Sequence, residues 1–179
     1  MKIYFAIGTI FILAATTINA TGQTVNKQEQ TSTDTVLMNR LALIKQQFAA
    51  INAKLTSYKK ISKDIFGESA EGGDIVKYYS GTAVKKIKQN FYGETGSLTE
   101  EFYYDSGVLI FYYSVQSKYD KPLNIAIPKI IAKPEQRCYF FEGKIIKYIY
   151  APAKTLANKQ IDSLNRDIIT EANKALKRK

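Results

Sequence analysis

The first regular pattern in the chain is a helical stripe of apolar residues. From residue 34 onward the apolar positions recur every three or four residues, at Leu37, Leu41, Ile44, Phe48, Ile51, Leu55 and Tyr58, and then at Ile65. This spacing places them on one face of an α-helix. Asp34 offers an N-cap oxygen and Gly67 a C-terminal stop, so the pattern predicts a helix over residues 34–66. We expect the stripe to pack on a sheet of the same chain, with a coiled-coil seam between two copies as the alternative.

From residue 75 the pattern changes to aromatic-rich runs separated by glycine, which is typical of β-strands joined as hairpins. The predicted strands are residues 75–79, 83–92, 98–104, 108–116, 137–141 and 144–150. The turns contain Gly81, residues 93–96, Ser106-Gly107 and Glu142-Gly143, and glycine permits the positive φ of tight hairpins. The chain therefore reads as an α+β protein with a long N-terminal helix and an antiparallel β-meander of about five to six strands.

Two of these turns predict which residues lie opposite each other. The predicted pairs are Ile87–Phe102, Phe91–Leu98, Lys88–Glu101, Tyr104–Leu109, Phe102–Phe111 and Leu98–Val115. In this register the apolar partners share one buried face. The opposite face then carries lysine and tyrosine, a combination that recognition surfaces use. The predicted interaction surface consists of Lys86, Lys88, Tyr103, Tyr112 and Tyr119, with an ordinary solvent face as the alternative.

Residues 117–135 interrupt the meander. Pro122, Pro128 and Pro134 lie there among leucine and isoleucine, which predicts an edge strand or a flap folded over the core, with an edge that could receive a partner's strand. After Pro152 the apolar positions return to helical spacing, from Leu156 to Ala175. This segment predicts a C-terminal amphipathic helix packed on one sheet face.

The N-terminus has the order of a signal peptide. Lys2 precedes an apolar run over residues 3–15, and small and polar residues follow up to Ala20. We expect residues 1–20 to be a cleaved signal peptide, residues 21–33 a flexible leader and residues 34–179 a single domain. The protein is then secreted or periplasmic, with no transmembrane span after signal removal. Because Cys138 is the only cysteine, a lipid anchor at the cleavage site is not expected.

The net charge is +10, and it becomes +9 when the signal peptide, which contains Lys2, is removed. Outside the cytoplasm, the anionic partners for such a chain are an envelope protein, an anionic glycan or a lipid surface, and nucleic acid is not expected. We expect a monomer, with a homodimer through helix 34–66 as the alternative.

The catalytic inventory is sparse. The chain has no histidine, which removes the usual base of hydrolase triads and the commonest transition-metal ligand. Glu100 and Glu101 are adjacent on a strand and point to opposite faces, so they do not form a paired-carboxylate site. We therefore predict no catalytic residue, no metal site and no cofactor.

The turns share a spelling of two aromatic residues, polar residues and glycine. It occurs at Tyr78-Tyr79-Ser80-Gly81, Phe91-Tyr92-Gly93, Tyr103-Tyr104-Asp105-Ser106-Gly107 and Phe140-Phe141-Glu142-Gly143. Over residues 75–150 the chain resembles the hairpin units of MORN-like repeat proteins, and more broadly small exported bacterial proteins of unknown function. This resemblance implies a β-meander that binds protein or lipid, with no catalytic residue.

Three functions follow as hypotheses. The leading one is a non-enzymatic secreted or periplasmic binding module. The second is an exported inhibitor of a hydrolase, which would present a protruding loop at residues 93–96 or 117–134. The third is a cone-shaped, isomerase-like or ligand-binding protein, which requires a deep cavity that contains a carboxyl group with a raised pKa.

Overall fold

The computed structural model of the protein describes residues 20–125 and 127–178, with side-chain surroundings from residue 34 onward. These residues form two helices and eight strands: α1 (Ala20–Ala53), β1 (Lys59–Ile65), β2 (Gly73–Ser80), β3 (Ala83–Gly93), β4 (Gly96–Asp105), β5 (Val108–Tyr119), β6 (Ile130–Ala132), β7 (Glu135–Phe141), β8 (Lys144–Ala151) and α2 (Asn158–Lys177). The α+β class is confirmed. The strand number exceeds the five to six that we predicted.

The described residues from Leu37 onward form one compact unit, which contains every described strand and α2. The predicted signal peptide lies outside the described residues up to residue 19. Residues 21–33, which we expected to be a leader without regular structure, belong to the first part of α1.

The strands form one open antiparallel sheet in the order β1-β2-β3-β4-β5-β7-β8, and β6 pairs with β5 outside this path. All six predicted strands are present. β6 is the edge strand that the proline-rich segment predicts, although it has only three residues, all of them exposed. That segment is therefore not a flap folded over the core.

The predicted helix over residues 34–66 is wrong at both ends, because α1 begins at Ala20 and ends at Ala53, and residues 59–65 form β1. The spacing of Tyr58 and Ile65 fits two helical turns, but Ile61, Lys63 and Ile65 also alternate with the period of a strand. β1 pairs with β2 over all seven of its residues, and Ile65 is buried there. Pairing with a distant strand overrides the local helical pattern at this point.

Three hairpins share a β-bulge at the same place. In the β2–β3, β4–β5 and β7–β8 hairpins, the third residue after the turn has no partner across the ladder: Lys85, Ile110 and Ile146. The aromatic turn at Phe91-Tyr92-Gly93 has the same spelling, but it lies at the opposite end of the sheet and its hairpin has no bulge. The shared spelling therefore covers two different kinds of turn.

The bulge at Ile110 corrects the predicted register. Ile87–Phe102, Phe91–Leu98, Lys88–Glu101 and Tyr104–Leu109 pair as predicted, but Phe102 pairs with Tyr112 and Leu98 with Gln116. A bulge inserts one unpaired residue and so moves every later side chain to the other face. Phe111 consequently lies on the face of Tyr103, and Tyr112 lies on the face of Phe102.

Each face of the sheet is covered by one helix. On the α1 face, Ile44 and Ile51 are buried, and the Phe48 ring lies 4.9 Å from the rings of both Tyr103 and Phe111. The helical stripe thus packs on the sheet of its own chain, as we expected. On the α2 face, Ile168, Ala172 and Ala175 are buried in the core.

Helix α2 matches the predicted amphipathic helix. The Gln160 side chain accepts a hydrogen bond from the Ala157 N–H at 2.9 Å, which satisfies one free backbone donor at the helix start. Lys174 and Lys177 lie in the last turn, where the helix dipole favours positive charge. Its small buried residues let the helix approach the sheet closely.

Candidate functional site

Two of the five residues of the predicted interaction surface, Lys86 and Tyr103, are buried beneath α1. The Lys86 Nζ lies 2.9 Å from a Glu101 carboxylate oxygen and donates to the Tyr103 hydroxyl oxygen at 2.7 Å. Tyr103 in turn donates to Glu101 at 2.6 Å, and Asn52 at the end of α1 lies 3.2 Å from the same hydroxyl. Burial lowers the pKa of Lys86, and the Glu101 charge opposes that shift. Lys86 and Tyr103 hold α1 on the sheet and are not at the surface.

Tyr112 is buried on the opposite face and has a different set of partners. Its hydroxyl donates to Glu100 at 2.6 Å, and the Gln89 amide donates to the other oxygen of Glu100 at 2.8 Å and to Glu171 of α2 at 2.9 Å. Arg178 donates to Gln89 and forms an ion pair with Glu171. Burial raises the pKa of Glu100, against the lowering effect of the hydrogen bonds from Tyr112 and Gln89. This cluster ties the end of α2 to the sheet.

Lys88 and Tyr119 are the two residues of the predicted surface that stay partly exposed. Lys88 lies opposite Glu101 in the β3–β4 ladder, and Tyr119 ends β5. Of the five predicted residues, Lys86 and Tyr103 are therefore buried on the α1 face and Tyr112 is buried on the α2 face. Lys88 and Tyr119 are partly exposed, at different places on the sheet. For Lys88 and Tyr119, a role in binding stays a prediction.

A cavity of about 490 Å³ lies at the end of the sheet where β3 turns into β4 and β5 ends. Its wall includes Tyr92, Thr95, Gly96, Tyr119 and Ile131. Glycine is required at residue 96, because a β-carbon there would lie 2.3 Å from the Ser117 carbonyl oxygen. The wall thus combines two tyrosine side chains with closely approaching backbone.

Residues 120–133 extend from this end of the sheet and are anchored to it by backbone hydrogen bonds. The N–H of Leu123 donates to the Glu94 carbonyl at 2.9 Å, and the N–H of Tyr119 donates to the Thr95 carbonyl at 3.0 Å. Across the base of the loop, the Asp120 carboxylate accepts the Lys129 N–H at 2.8 Å. The two segments that the sequence suggested as protruding loops, residues 93–96 and 117–134, therefore adjoin each other.

This loop exposes branched aliphatic side chains next to lysines. The aliphatic residues have exposed fractions from 47% to 93%, and they are Leu123, Ile125, Ile127, Ile130 and Ile131. The lysines are all exposed, and they are Lys118, Lys121, Lys129 and Lys133. Among the described residues, none of these four lysines forms an ion pair. We call these nine side chains the loop surface.

The sequence predicted an edge strand or a flap for the proline-rich segment, but it did not predict that the nine side chains of the loop surface are exposed. The available signal was an apolar run that keeps a period of two only from Leu123 to Ile127 and is then interrupted by Pro128 and Lys129. Such a run cannot bury all of its apolar side chains in a regular element. The joining of this loop to the β3–β4 turn had no local signal.

A second groove, of about 370 Å³, lies between α1 and the turns of the β4–β5 and β7–β8 hairpins. Arg40 lies over the Phe141 ring at 4.3 Å, and Gln47 donates to Asp105 at 2.9 Å. Leu43 and Val108 line it and are about half exposed. The groove offers an apolar contact area, but its polar groups are engaged with one another.

Among the ionisable groups with shifted pKa values, Tyr92 lines the first cavity, and its hydrogen bond to Asp74 raises its pKa. The carboxyl and thiol groups with raised pKa values line neither cavity. Glu100 is enclosed by Gln89 and Tyr112, and Cys138 is fully buried. Burial raises the pKa of the Cys138 thiol to about 11, which disfavours the nucleophilic thiolate. Within the described ranges, no three His, Cys, Asp or Glu side chains are placed to hold a metal ion. The helices of the described chain are not long and apolar enough to cross a membrane.

Comparison with protein-family models, with curated proteins and with solved structures finds no match to this chain.

Proposed function

We propose that the protein is a non-enzymatic binding module that is exported to the periplasm or secreted, and that the loop surface is its interaction surface. The observation that carries this proposal is the exposure of five branched aliphatic side chains within one loop. Contiguous exposed apolar side chains on a soluble protein mark interaction sites more often than scattered ones do.

The anchoring of the loop supports this proposal. The Glu94 carbonyl accepts a hydrogen bond from the first part of the loop, and the Asp120 carboxylate accepts one from the Lys129 N–H. These hydrogen bonds hold both ends of the loop in place. A loop held in this way loses little conformational freedom on binding, which favours affinity. Three residues of the surface predicted from the sequence, Lys86, Tyr103 and Tyr112, are buried and are not accessible to a partner.

The non-enzymatic part of the proposal is supported by the composition and by the surroundings of the acidic groups. The chain has no histidine, and the carboxyl group of Glu100 is used to hold α2. The resemblance to MORN-like hairpins, which implies protein or lipid binding, stays a prediction.

Inhibition of a hydrolase is the second candidate. It is favoured by the hydrogen bonds between residues 93–96 and the proline-rich loop, which bring the two segments together at one end of the sheet. An inhibitor inserts such an end into a partner's cleft. The same loop surface would then contact one enzyme.

Site-specific photo-crosslinking in intact cells tests the proposal. A photoreactive amino acid at Ile127, the most exposed of the five aliphatic residues, is expected to form a defined adduct with protein or lipid. The matched control is Thr82, which is exposed in a turn at the opposite end of the sheet. Absence of any adduct specific to Ile127 would overturn the proposed function. An adduct with a hydrolase that Ile127→Asp no longer inhibits would identify the second candidate.

The mass of the protein recovered from outside the cytoplasm tests export. Loss of about the first 20 residues is expected for a signal peptide. An intact chain that stays in the cytoplasm would contradict this part of the proposal.

A further inference from the structure

The loop surface combines apolar side chains at its tip with positive charge at its margin. Ile125 and Ile127 have exposed fractions of 71% and 93%. Ile130 and Ile131 are also exposed, but as successive residues of β6 they point to opposite faces of the sheet. In the chain, Lys118 and Lys121 precede the isoleucines, Lys129 lies between Ile127 and Ile130, and Lys133 follows them. Apolar side chains that insert at the boundary between headgroups and acyl chains, with lysines at headgroup level, are how peripheral proteins bind membranes.

We propose that the occupant of the loop surface is an anionic lipid membrane, with Ile125 and Ile127 inserted and the lysines against the lipid headgroups. This rests on the proposed function and names its partner. Within residues 118–133 the lysines give four positive charges against one negative charge from Asp120. The Asp120 carboxylate accepts the Lys129 N–H, so it is directed to the base of the loop.

Charge distinguishes a membrane from a second copy of the chain as the occupant. Two copies meeting through this surface would bring eight lysines together, and like charges at close range oppose association. An anionic bilayer places negative charge opposite all four lysines, each of which contributes about fivefold to binding. Long lysine side chains can also keep their ammonium groups in the headgroup layer while their methylenes lie along apolar surface.

A fluorescent label at a single position tests the contact in the full chain. The only native cysteine, Cys138, is fully buried, so a cysteine introduced by Ile127→Cys is expected to take the label selectively. The label should shift to shorter wavelength on addition of phosphatidylglycerol–phosphatidylethanolamine vesicles. It should not shift with phosphatidylcholine vesicles. A label at Thr82→Cys should respond to neither, even if another part of the chain contacts the vesicles.

Charge variants supply the quantitative test. Lys129→Gln/Lys133→Gln should lower the partition coefficient measured with the Ile127 label by about 25-fold. The matched control, Lys144→Gln/Lys147→Gln, removes the same charge from exposed positions on β8 and should lower it by less than about threefold. Ile125→Ser should weaken binding at unchanged charge, and a far-UV spectrum and unfolding midpoint like those of the wild type would show that the fold is kept.

Three results would overturn the membrane proposal. They are no response of the Ile127 label to anionic vesicles, an equal response of the Thr82 label, or a shift of the Ile127 label that depends on protein concentration without vesicles. The last result would assign the surface to a second copy. A protein adduct in cells without vesicle binding would leave the proposed function standing and remove the membrane as its partner.

Discussion

The two faces of the sheet surround their buried charged groups with different partners. On the α1 face, Lys86 and Glu101 lie 2.9 Å apart and compensate each other's charge. On the α2 face, Glu100 accepts hydrogen bonds from two neutral groups, the Gln89 amide and the Tyr112 hydroxyl. Loss of one partner therefore leaves an uncompensated charge on the first face. On the second face it leaves an acid that can take up a proton, because burial already raises the pKa of Glu100.

The largest effect is expected on the α1 face. Lys86→Met should lower the free energy of unfolding by about 3 kcal/mol, because it removes the cation from the partly buried Glu101. Urea denaturation measures the loss, and hydrogen exchange should show that α1 is loosened more than α2. Lys88→Met is the matched control on the same strand and face, with an expected change within about 0.5 kcal/mol. In Lys86→Met/Glu101→Leu part of the stability should return, and equal losses for both lysine variants would contradict the buried pair.

A smaller effect is expected from the α2 face. Gln89→Leu removes one donor to Glu100 and the amide that Glu171 and Arg178 share, so the free energy of unfolding should fall by about 2 kcal/mol. Hydrogen exchange should now show a looser α2 and an unchanged α1. If the same helix were loosened by Gln89→Leu and by Lys86→Met, the two faces would not be independent.

The smallest effect is a difference in pH dependence. Burial raises the pKa of Glu100 above the ordinary 4.5, so the folded state keeps this proton at a pH where the unfolded chain has lost it. The stabilisation that comes from the raised pKa of Glu100 is then fully present below about pH 4.5, and it is lost as the pH rises through the pKa of Glu100 in the folded state. The free energy of unfolding of the wild type, minus that of Glu100→Gln, should fall as the pH rises from below about 4.5 through the raised pKa of Glu100.

Urea titrations at a series of pH values measure this difference. Glu68 has a lowered pKa through its hydrogen bond with Lys174, so its contribution has the opposite sign. Because Glu68 is present in both the wild type and Glu100→Gln, its contribution cancels when the two free energies of unfolding are subtracted. A difference that is independent of pH would show that Glu100 has the same pKa in the folded and unfolded chain.

The turns were the most predictable part of the fold. In Ser106–Gly107 and Glu142–Gly143 both residues have positive φ, which the two-residue hairpin turn requires and which glycine and polar residues allow. The bulge three residues later was not predictable, because it depends on how both Tyr103 and Tyr104 come to be buried on opposite faces. As a result, the pairing of Tyr104 with Leu109 was correct, and that of Phe102 with Phe111 was wrong.

The candidate site was less predictable than the fold. Alternation along β3 gives Lys86 and Lys88 the same face, and both were expected to be exposed. Lys86 is enclosed by Asn52 and Tyr103, which are 34 and 17 positions away from it in the sequence. No local pattern encodes which of two equivalent lysines a distant helix end will cover.

The sequence by itself determined where strands turn, that the C-terminal helix is amphipathic, and that the chain has no histidine for the commonest acid–base and metal chemistry. These properties depend on residues within a few positions of each other or on composition alone. Only the tertiary structure decided where α1 ends, which polar residues are enclosed by the helices, and that residues 120–133 join the β3–β4 turn to expose their isoleucines. Burial is decided by contacts between distant segments, which local periodicity does not specify.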